Sequence, residues 1–372
     1  QHMNNVIKLQ FQPKAQGSAA KRAALASCFS RYRRGEDDVF WLKENAELLN
    51  ISQTGGLQVA SSALEVYTSV YEALPRRFSF FPQYYRFLLS ICLDLEDLGL
   101  PGNVSETLIA QTVEQDLPGA ELSDLQRAEA RRLLARRGAI LPGGDLGLDD
   151  RLRAFAARSA TFALPNKKAA YELTHIVFYL SDYGRRDPDL PLEALTSLHY
   201  AGLLAFLEAN VDLLAEICIS LRFAGQVPPA PWEAMLNSDA AGFDVTVAPG
   251  TSLGDDYHAY LITHWLKFLA GSETFEGSIP EGSLRFTSRA QPGSTALREL
   301  SMLLFECDSR LPDWGQMRPT LQQGLSPDAW SNLSMAAQST PMFEGFFEGF
   351  ARADNARAAV APPMPTGPIA LT

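Results

Sequence analysis

Apolar side chains recur at three- and four-residue spacing along almost the whole chain, and this helical period restricts the fold more than any other feature. Only the run FDVTVAP, at 243–249, alternates between apolar and polar residues as a half-exposed strand does. One strand cannot form a sheet, because its backbone groups need a neighbouring strand. The sequence therefore predicts an all-α protein.

We expect about a dozen helices joined by short connections. Proline and glycine mark several of their ends: one helix begins at Pro82 and ends at Gly99, and another pattern stops at Pro75. Paired helices in this number favour an α/α barrel or toroid. The sequence has no repeat of fixed period, which argues against a solenoid. A long irregular stretch at 228–256 interrupts the second half and is typical of a functional loop such as a lid.

The chain has 372 residues, of which 46% are hydrophobic, so it can bury one large core. We expect a single helical domain over 19–355, with a sub-boundary near 138–148 where glycine and proline are frequent. Residues 1–18 are expected to form an N-terminal arm that starts with a tag remnant. Residues 356–372 are expected to form a proline-rich flexible tail.

Net charge and cysteine content indicate which binding partners and which cellular compartment to expect. The formal net charge is −11 and basic residues occur only in short clusters, which argues against nucleic acid and membrane partners. The four cysteines are far apart in sequence, as expected for buried, reduced thiols. We therefore expect a cytoplasmic protein that is a monomer or a homodimer.

One predicted helix, at 167–183, carries ionisable residues along a single stripe. Glu172, His175 and Asp182 share this face, and the rest of the helix is mostly apolar. Such a helix is typical of one that lines an interior cavity. A histidine beside a carboxylate is an oriented imidazole suited to general acid–base catalysis. We therefore expect His175, Asp182 and Glu172 to be catalytic.

The same helix also allows a metal site. The pattern carboxylate-x-x-histidine occurs at His175 and again at His258, and a third helix places Asp212 and Glu216 one turn apart. With a carboxylate from the helix at 82–99, this order is similar to that of di-metal carboxylate proteins. A smaller site would need two histidines and one carboxylate. The expected ligands are His175, His258, Asp212 and Glu216, with iron, manganese or zinc as the metal.

Three functions stay open at this point. The chain could be an enzyme or binding protein for a hydrophobic or mixed small molecule, a non-catalytic scaffold, or a di-metal oxidase or oxygenase. A hydrogen-bonded core network that binds no ligand fits the same residues. The sequence contains none of the glycine-rich nucleotide-binding motifs and no nucleophile elbow, so classical dinucleotide, P-loop and serine-hydrolase functions lose support.

Three segments carry a resemblance to a known family: DVFWLKENAELLN, FFPQYYRFLLSICLDLEDLG and YELTHIVFYLSDYG. They resemble segments of an uncharacterised family of helical proteins from marine alphaproteobacteria. The resemblance implies that the three segments belong to one folded unit, and it implies no activity, cofactor or site residue. The expected helix arrangement is more loosely similar to that of α/α-toroid proteins such as terpenoid cyclases.

Overall fold

A computed structural model describes residues 16–248, 254–289 and 293–353. The described residues are predominantly helical and contain one small two-stranded sheet, so the predicted all-α class is confirmed. The proposed tail at 356–372 and most of the N-terminal arm lie outside the described residues. None of the helices in the described part is long and apolar enough to cross a lipid bilayer.

The helices of the first half are mostly joined by short turns. They are α1 (Ser18–Ser27), α2 (Val39–Thr54), α3 (Ser61–Leu64), α4 (Thr68–Phe80), α5 (Tyr85–Leu98), α6 (Val104–Glu114), α7 (Asp124–Ala135), α8 (Leu148–Ala156) and α9 (Ser159–Phe162). A wider, π-helical turn at Cys28–Tyr32 continues α1, and Glu65–Tyr67, Pro82–Tyr84 and Leu117–Ala120 form short 3₁₀ turns.

The second half contains the longest helix, Leu192–Glu208, and the two strands. Its elements are α10 (Lys167–Leu180), α11 (Leu192–Glu208), α12 (Val211–Phe223), α13 (Ala230–Ala241), β1 (Asp244–Val247), α14 (Tyr257–Leu269), β2 (Leu284–Thr287), α15 (Ala296–Glu306), α16 (Trp314–Gly324), α17 (Pro327–Ser339) and α18 (Phe343–Ala351).

Pro75 does not end its helix, contrary to the prediction from sequence. It lies inside α4, which continues to Phe80. A proline inside a helix removes one backbone hydrogen bond. Val70 and Leu74 before the proline, and Phe78 after it, are all buried, and their packing holds the helix together across the break.

The stretch at 228–256 is more regular than its sequence predicts. It contains α13 and then β1, which pairs antiparallel with β2 so that Val245 lies opposite Phe286. The prediction that this strand has no partner was therefore wrong, because its partner β2 follows only after α14 in the sequence. Residues 249–253 lie outside the described residues, and the lid stays a prediction.

Two groups of buried apolar side chains form the core. The smaller lies among α2, α4, α5, α6 and α7, and the larger among α10, α11, α12, α14 and the C-terminal helices. Helix α12 is central to the larger group, because every residue from Leu213 to Leu221 is buried. A charged side chain on a helix buried in this way needs partners on its neighbours.

Candidate functional site

Four helices meet around the one carboxylate at the centre of α12. Helix α12 packs between α10 and α14, and α14 also contacts α2. The polar side chains at this junction are Glu47 of α2, His175 of α10, Asp212 and Glu216 of α12, and His258 of α14. We call these five residues the polar cleft.

Glu216 lies at the bottom of the polar cleft, with its side chain 3% exposed. Its Oε1 atom is 3.5 Å from Nε2 of His258, and its Oε2 atom is 4.0 Å from Nδ1 of His175. The hydroxyl of Thr174 donates a hydrogen bond of 2.6 Å to Oε2. Two histidines from different helices therefore face one buried carboxylate.

The surroundings of Glu216 favour its ionised form. Burial by itself would raise the pKa of this carboxyl, because it disfavours the charge. The hydrogen bond from His258, the charges of both histidines and the hydrogen bond from Thr174 outweigh that effect and hold the pKa below its usual value. Glu216 is thus a buried anion stabilised by its partners.

His258 faces carboxylates with both ring nitrogens. Nδ1 is 3.3 Å from Oε2 of Glu47, while Nε2 lies 3.5 Å from Glu216 and 3.7 Å from Oδ2 of Asp212. Burial would lower the pKa of His258, but the hydrogen bonds and charges of Glu216 and Glu47 raise it to about 10. The ring is therefore an imidazolium at neutral pH. It connects α14 to α2 through Glu47 and to α12 through Glu216.

The hydrogen bond of His175 shows which of its ring nitrogens carries a proton. Its Nδ1 atom lies 2.6 Å from the carbonyl oxygen of Tyr171. Because a carbonyl only accepts hydrogen bonds, Nδ1 carries a proton, so Nε2 is the nitrogen at which the ring gains or loses its second proton. The side chain is 37% exposed. His175 can therefore accept a proton from a molecule that reaches the polar cleft.

The polar cleft is open to solvent on one side, whereas the sequence predicts an interior cavity. The side chains of His258, Asp212 and Glu47 are 31%, 27% and 22% exposed. At the rim the hydroxyl of Tyr171 donates a hydrogen bond of 2.7 Å to Oδ2 of Asp212. Two of the three carboxylates and both imidazoles keep contact with water, because burying all five groups would cost too much free energy.

The structure does not bring Asp182 or Glu172 to His175. Helix α10 ends at Leu180, and Asp182 follows with a left-handed φ of 47°, which takes it off the stripe. Its Oδ1 atom accepts a hydrogen bond of 2.8 Å from Nε of Arg132. Among the described residues Glu172 forms no side-chain hydrogen bond or ion pair. A catalytic role for either residue stays a prediction without support from the geometry.

The pattern that suggested a metal site is also divided in space. Asp255, three residues before His258, bonds through both oxygens to the guanidinium of Arg33 at 2.8 Å. Asp94 of α5 pairs with Arg136 at 2.8 Å in the smaller core group. Among the described residues, no three or more His, Cys, Asp or Glu side chains form a group that could hold a metal ion. The metal ligands His175, His258, Asp212 and Glu216 therefore stay a prediction, although the structure does gather these four residues.

Three contributors to the polar cleft were missed from the sequence. Glu47 lies on α2, far from the other residues in sequence, and no local pattern connects it with His258. Sequence reasoning assigned no role to Tyr171 or Thr174, yet they bond to Asp212 and Glu216. The one available signal was spacing, because Tyr171 precedes His175 by one helical turn.

Comparison with known proteins gives a family without a function. No curated protein and no solved structure matches the chain. The family model described as "Domain of unknown function (DUF6902)" matches residues 3–353, which include every residue of the polar cleft. The resemblance to an uncharacterised family is thereby confirmed. Since the match covers nearly the whole sequence, the chain belongs to the DUF6902 family.

Proposed function

We propose that the protein binds a small, positively charged organic molecule in the polar cleft, and that His175 exchanges a proton with it. The observation that carries this proposal is the convergence of two histidines and three carboxylates from four helices on one solvent-open cleft. Convergent titratable groups with shifted pKa values are typical of functional sites.

Charge balance favours a cationic ligand. Glu47, Asp212 and Glu216 contribute three carboxylates, and His258 contributes one positive charge near them. Lys43 is 4.0 Å from Glu47, but its side chain is 51% exposed and is solvated. An ammonium group at the rim would find Asp212 and Glu47 as partners.

His175 supplies the chemical part of the proposal. Its bond to the Tyr171 carbonyl leaves Nε2 as the proton acceptor, and Glu216 stabilises the imidazolium that forms when Nε2 takes up a proton. The arrangement suits removal of a proton from a bound molecule and its later return. Two other functions were expected from the sequence. In a scaffold these contacts would only stabilise the fold, and in a di-metal oxidase the same residues would bind metal ions.

Binding of small amines tests the proposal directly. We expect ethanolamine, putrescine or choline to shift the imidazole nitrogen resonances of His175 and His258 in the purified protein, while acetate and glycerol do not. Asp212→Asn should weaken this binding, because it removes a rim carboxylate. Asp182→Asn is the matched control, since Asp182 pairs with Arg132 away from the polar cleft. Amines that bind Asp212→Asn as tightly as the unmodified chain would overturn the proposal.

The same titration separates the other functions. A scaffold role predicts that His175→Gln lowers the free energy of unfolding while no amine shifts either histidine. A metal site predicts that zinc or manganese ions bind with release of the His258 proton, because an imidazolium has no lone pair for a metal. The amine proposal predicts that the shifts occur without added metal.

Several expectations from sequence remain proposals beside this one. We propose a cytoplasmic location and a toroid arrangement of the helix pairs, as the composition and the helix pattern indicate. An origin of the family in marine alphaproteobacteria rests only on the resemblance of three segments. Sedimentation of the purified chain would separate a monomer from a homodimer.

A further inference from the structure

A groove lies beside α10 and α12, on another face than the polar cleft. It is an apolar groove of about 210 Å³ between the connection from α9 to α10 and helices α11, α12 and α15. Small side chains on α10 and α11 leave this volume open. The groove is lined mainly by Phe162, Leu164, Ala170, Ala201, Ala205 and Leu213. Ala170 precedes Tyr171 and Leu213 follows Asp212, and both of these neighbours lie at the rim of the polar cleft. The groove and the polar cleft are therefore neighbouring but separate surfaces.

The charged side chains that line the groove are one lysine and one glutamate, Lys167 and Glu208. Lys167, the first residue of α10, lies at the mouth, whereas the exposed Lys168 does not line the groove. The first turn of α10 contains no acidic residue. Asn166 accepts hydrogen bonds from the backbone N–H groups of Ala169 and Ala170, which leaves those of Lys167 and Lys168 available, among the described residues, to an anion.

One acidic side chain competes for this charge. Oε1 of Glu208 lies 2.9 Å from Nζ of Lys167, with the two side chains 31% and 60% exposed. An exposed pair of this kind contributes little free energy, so a ligand carboxylate can replace Glu208 as the partner of Lys167.

We propose that this groove binds a monocarboxylic acid with an unbranched apolar chain. The chain would lie on the alanines of α10 and α11, and the carboxylate would meet Lys167 and the start of α10. A closed apolar cavity of about 150 Å³ holds a benzene molecule. A groove of about 210 Å³ therefore accommodates a chain of roughly eight carbons. This ligand differs in charge from the amine proposed for the polar cleft, so the two sites can be tested independently.

Calorimetric titration with octanoate tests the groove in the unmodified protein. Each methylene added between butanoate and octanoate should tighten binding about fourfold, and the gain should stop once the groove is filled. Octanol and octylamine separate the carboxylate from the chain, and both should bind more weakly than octanoate. Equal binding of octanol and octanoate would overturn the role of Lys167 and α10. A dissociation constant independent of chain length would overturn the groove itself.

Variants locate the site. Ala201→Leu fills the groove and should abolish octanoate binding, and circular dichroism shows whether the variant is folded. Lys167→Gln should weaken binding about two- to fivefold, whereas Glu208→Gln should tighten it because it removes the competing carboxylate. Lys168→Gln is the matched control, because Lys168 does not line the groove. Octanoate that binds folded Ala201→Leu unchanged would place the ligand elsewhere and end the proposal.

Discussion

Glu216 and His258 lie 3.5 Å apart between α12 and α14, with the carboxylate 3% exposed and the imidazole 31% exposed. Each holds the other in its charged form: the pKa of Glu216 lies below its usual value, and that of His258 is raised to about 10. This pair joins the most buried helix of the larger core group to the solvent-open side of the polar cleft.

Replacing Glu216 with glutamine should lower the pKa of His258. The amide keeps the shape of the side chain and can still accept the hydrogen bond from Thr174, but it carries no charge. We expect the pKa to fall from about 10 toward the ordinary value of 6.5 without reaching it, because Glu47 remains. Titration of the imidazole resonances measures this, with Asp182→Asn as a control. A pKa that stays near 10 would show that Glu216 is not the main partner.

The stability contributed by His258 should decrease with alkaline pH. Folding raises the pKa of His258 from 6.5 to about 10, so between these values the folded chain binds more protons than the unfolded chain. The contribution is therefore complete below pH 6.5 and is lost as pH rises toward 10. Urea unfolding of the unmodified chain and of His258→Gln at several pH values checks this. Their difference in unfolding free energy should shrink over that interval, and a constant difference would contradict the assignment.

His264 should have the opposite pH dependence. It is fully buried in α14, where Nδ1 faces the carbonyl of Tyr260 at 2.7 Å and Nε2 accepts a hydrogen bond of 3.2 Å from the N–H of Glu276. Burial lowers its pKa from 6.5 to about 4, so the neutral ring is the folded form. Its contribution is present above pH 6.5 and lost as pH falls toward 4.

His264→Gln tests this second dependence. We expect the variant to be about 1–3 kcal/mol less stable at neutral pH, because buried hydrogen-bonding groups lose partners. Acid should reduce the difference in unfolding free energy between the two chains. Only the unmodified chain contains the buried neutral imidazole, and its stabilising contribution is lost as the pH falls. Urea unfolding measures both effects, and a gap that widens in acid would refute the neutral ring.

Arg33 should be a strong determinant of stability. Its guanidinium is 4% exposed and bonds to Glu44 at 2.9 Å and to Asp255 at 2.8 Å, both 1% exposed. It also lies over the rings of Phe29 and Tyr257. Arg33→Met leaves two buried carboxylates with fewer partners, and removal of one member of such a network costs about 3–5 kcal/mol.

Chemical denaturation of Arg33→Met gives this value, and Arg151→Met is the control because Arg151 pairs with Asp124 at the surface. The control should unfold like the unmodified chain. A loss for Arg33→Met below about 1 kcal/mol, the range of exposed pairs, would mean that the buried network contributes little.

Much of the fold follows from local pattern. The period of apolar residues indicates the helices, Gly99 ends α5 with a left-handed φ of 111°, and the polar stripe on α10 correctly includes His175 of the polar cleft. These features depend on residues within a few turns of one another. The spacing of Asp212 and Glu216 likewise predicts that both lie on one face of α12.

The composition of the polar cleft depended on contacts between distant segments. A left-handed backbone turn removes Asp182 from His175, and Arg33 takes Asp255. Packing of α14 against α2 adds Glu47, which no spacing predicts. Sequence alone therefore determined the helical class and the shared face of Asp212 and Glu216 on α12, because both are local properties of the chain. Only the tertiary structure decided which carboxylates face which histidine, because that depends on how helices far apart in sequence pack together.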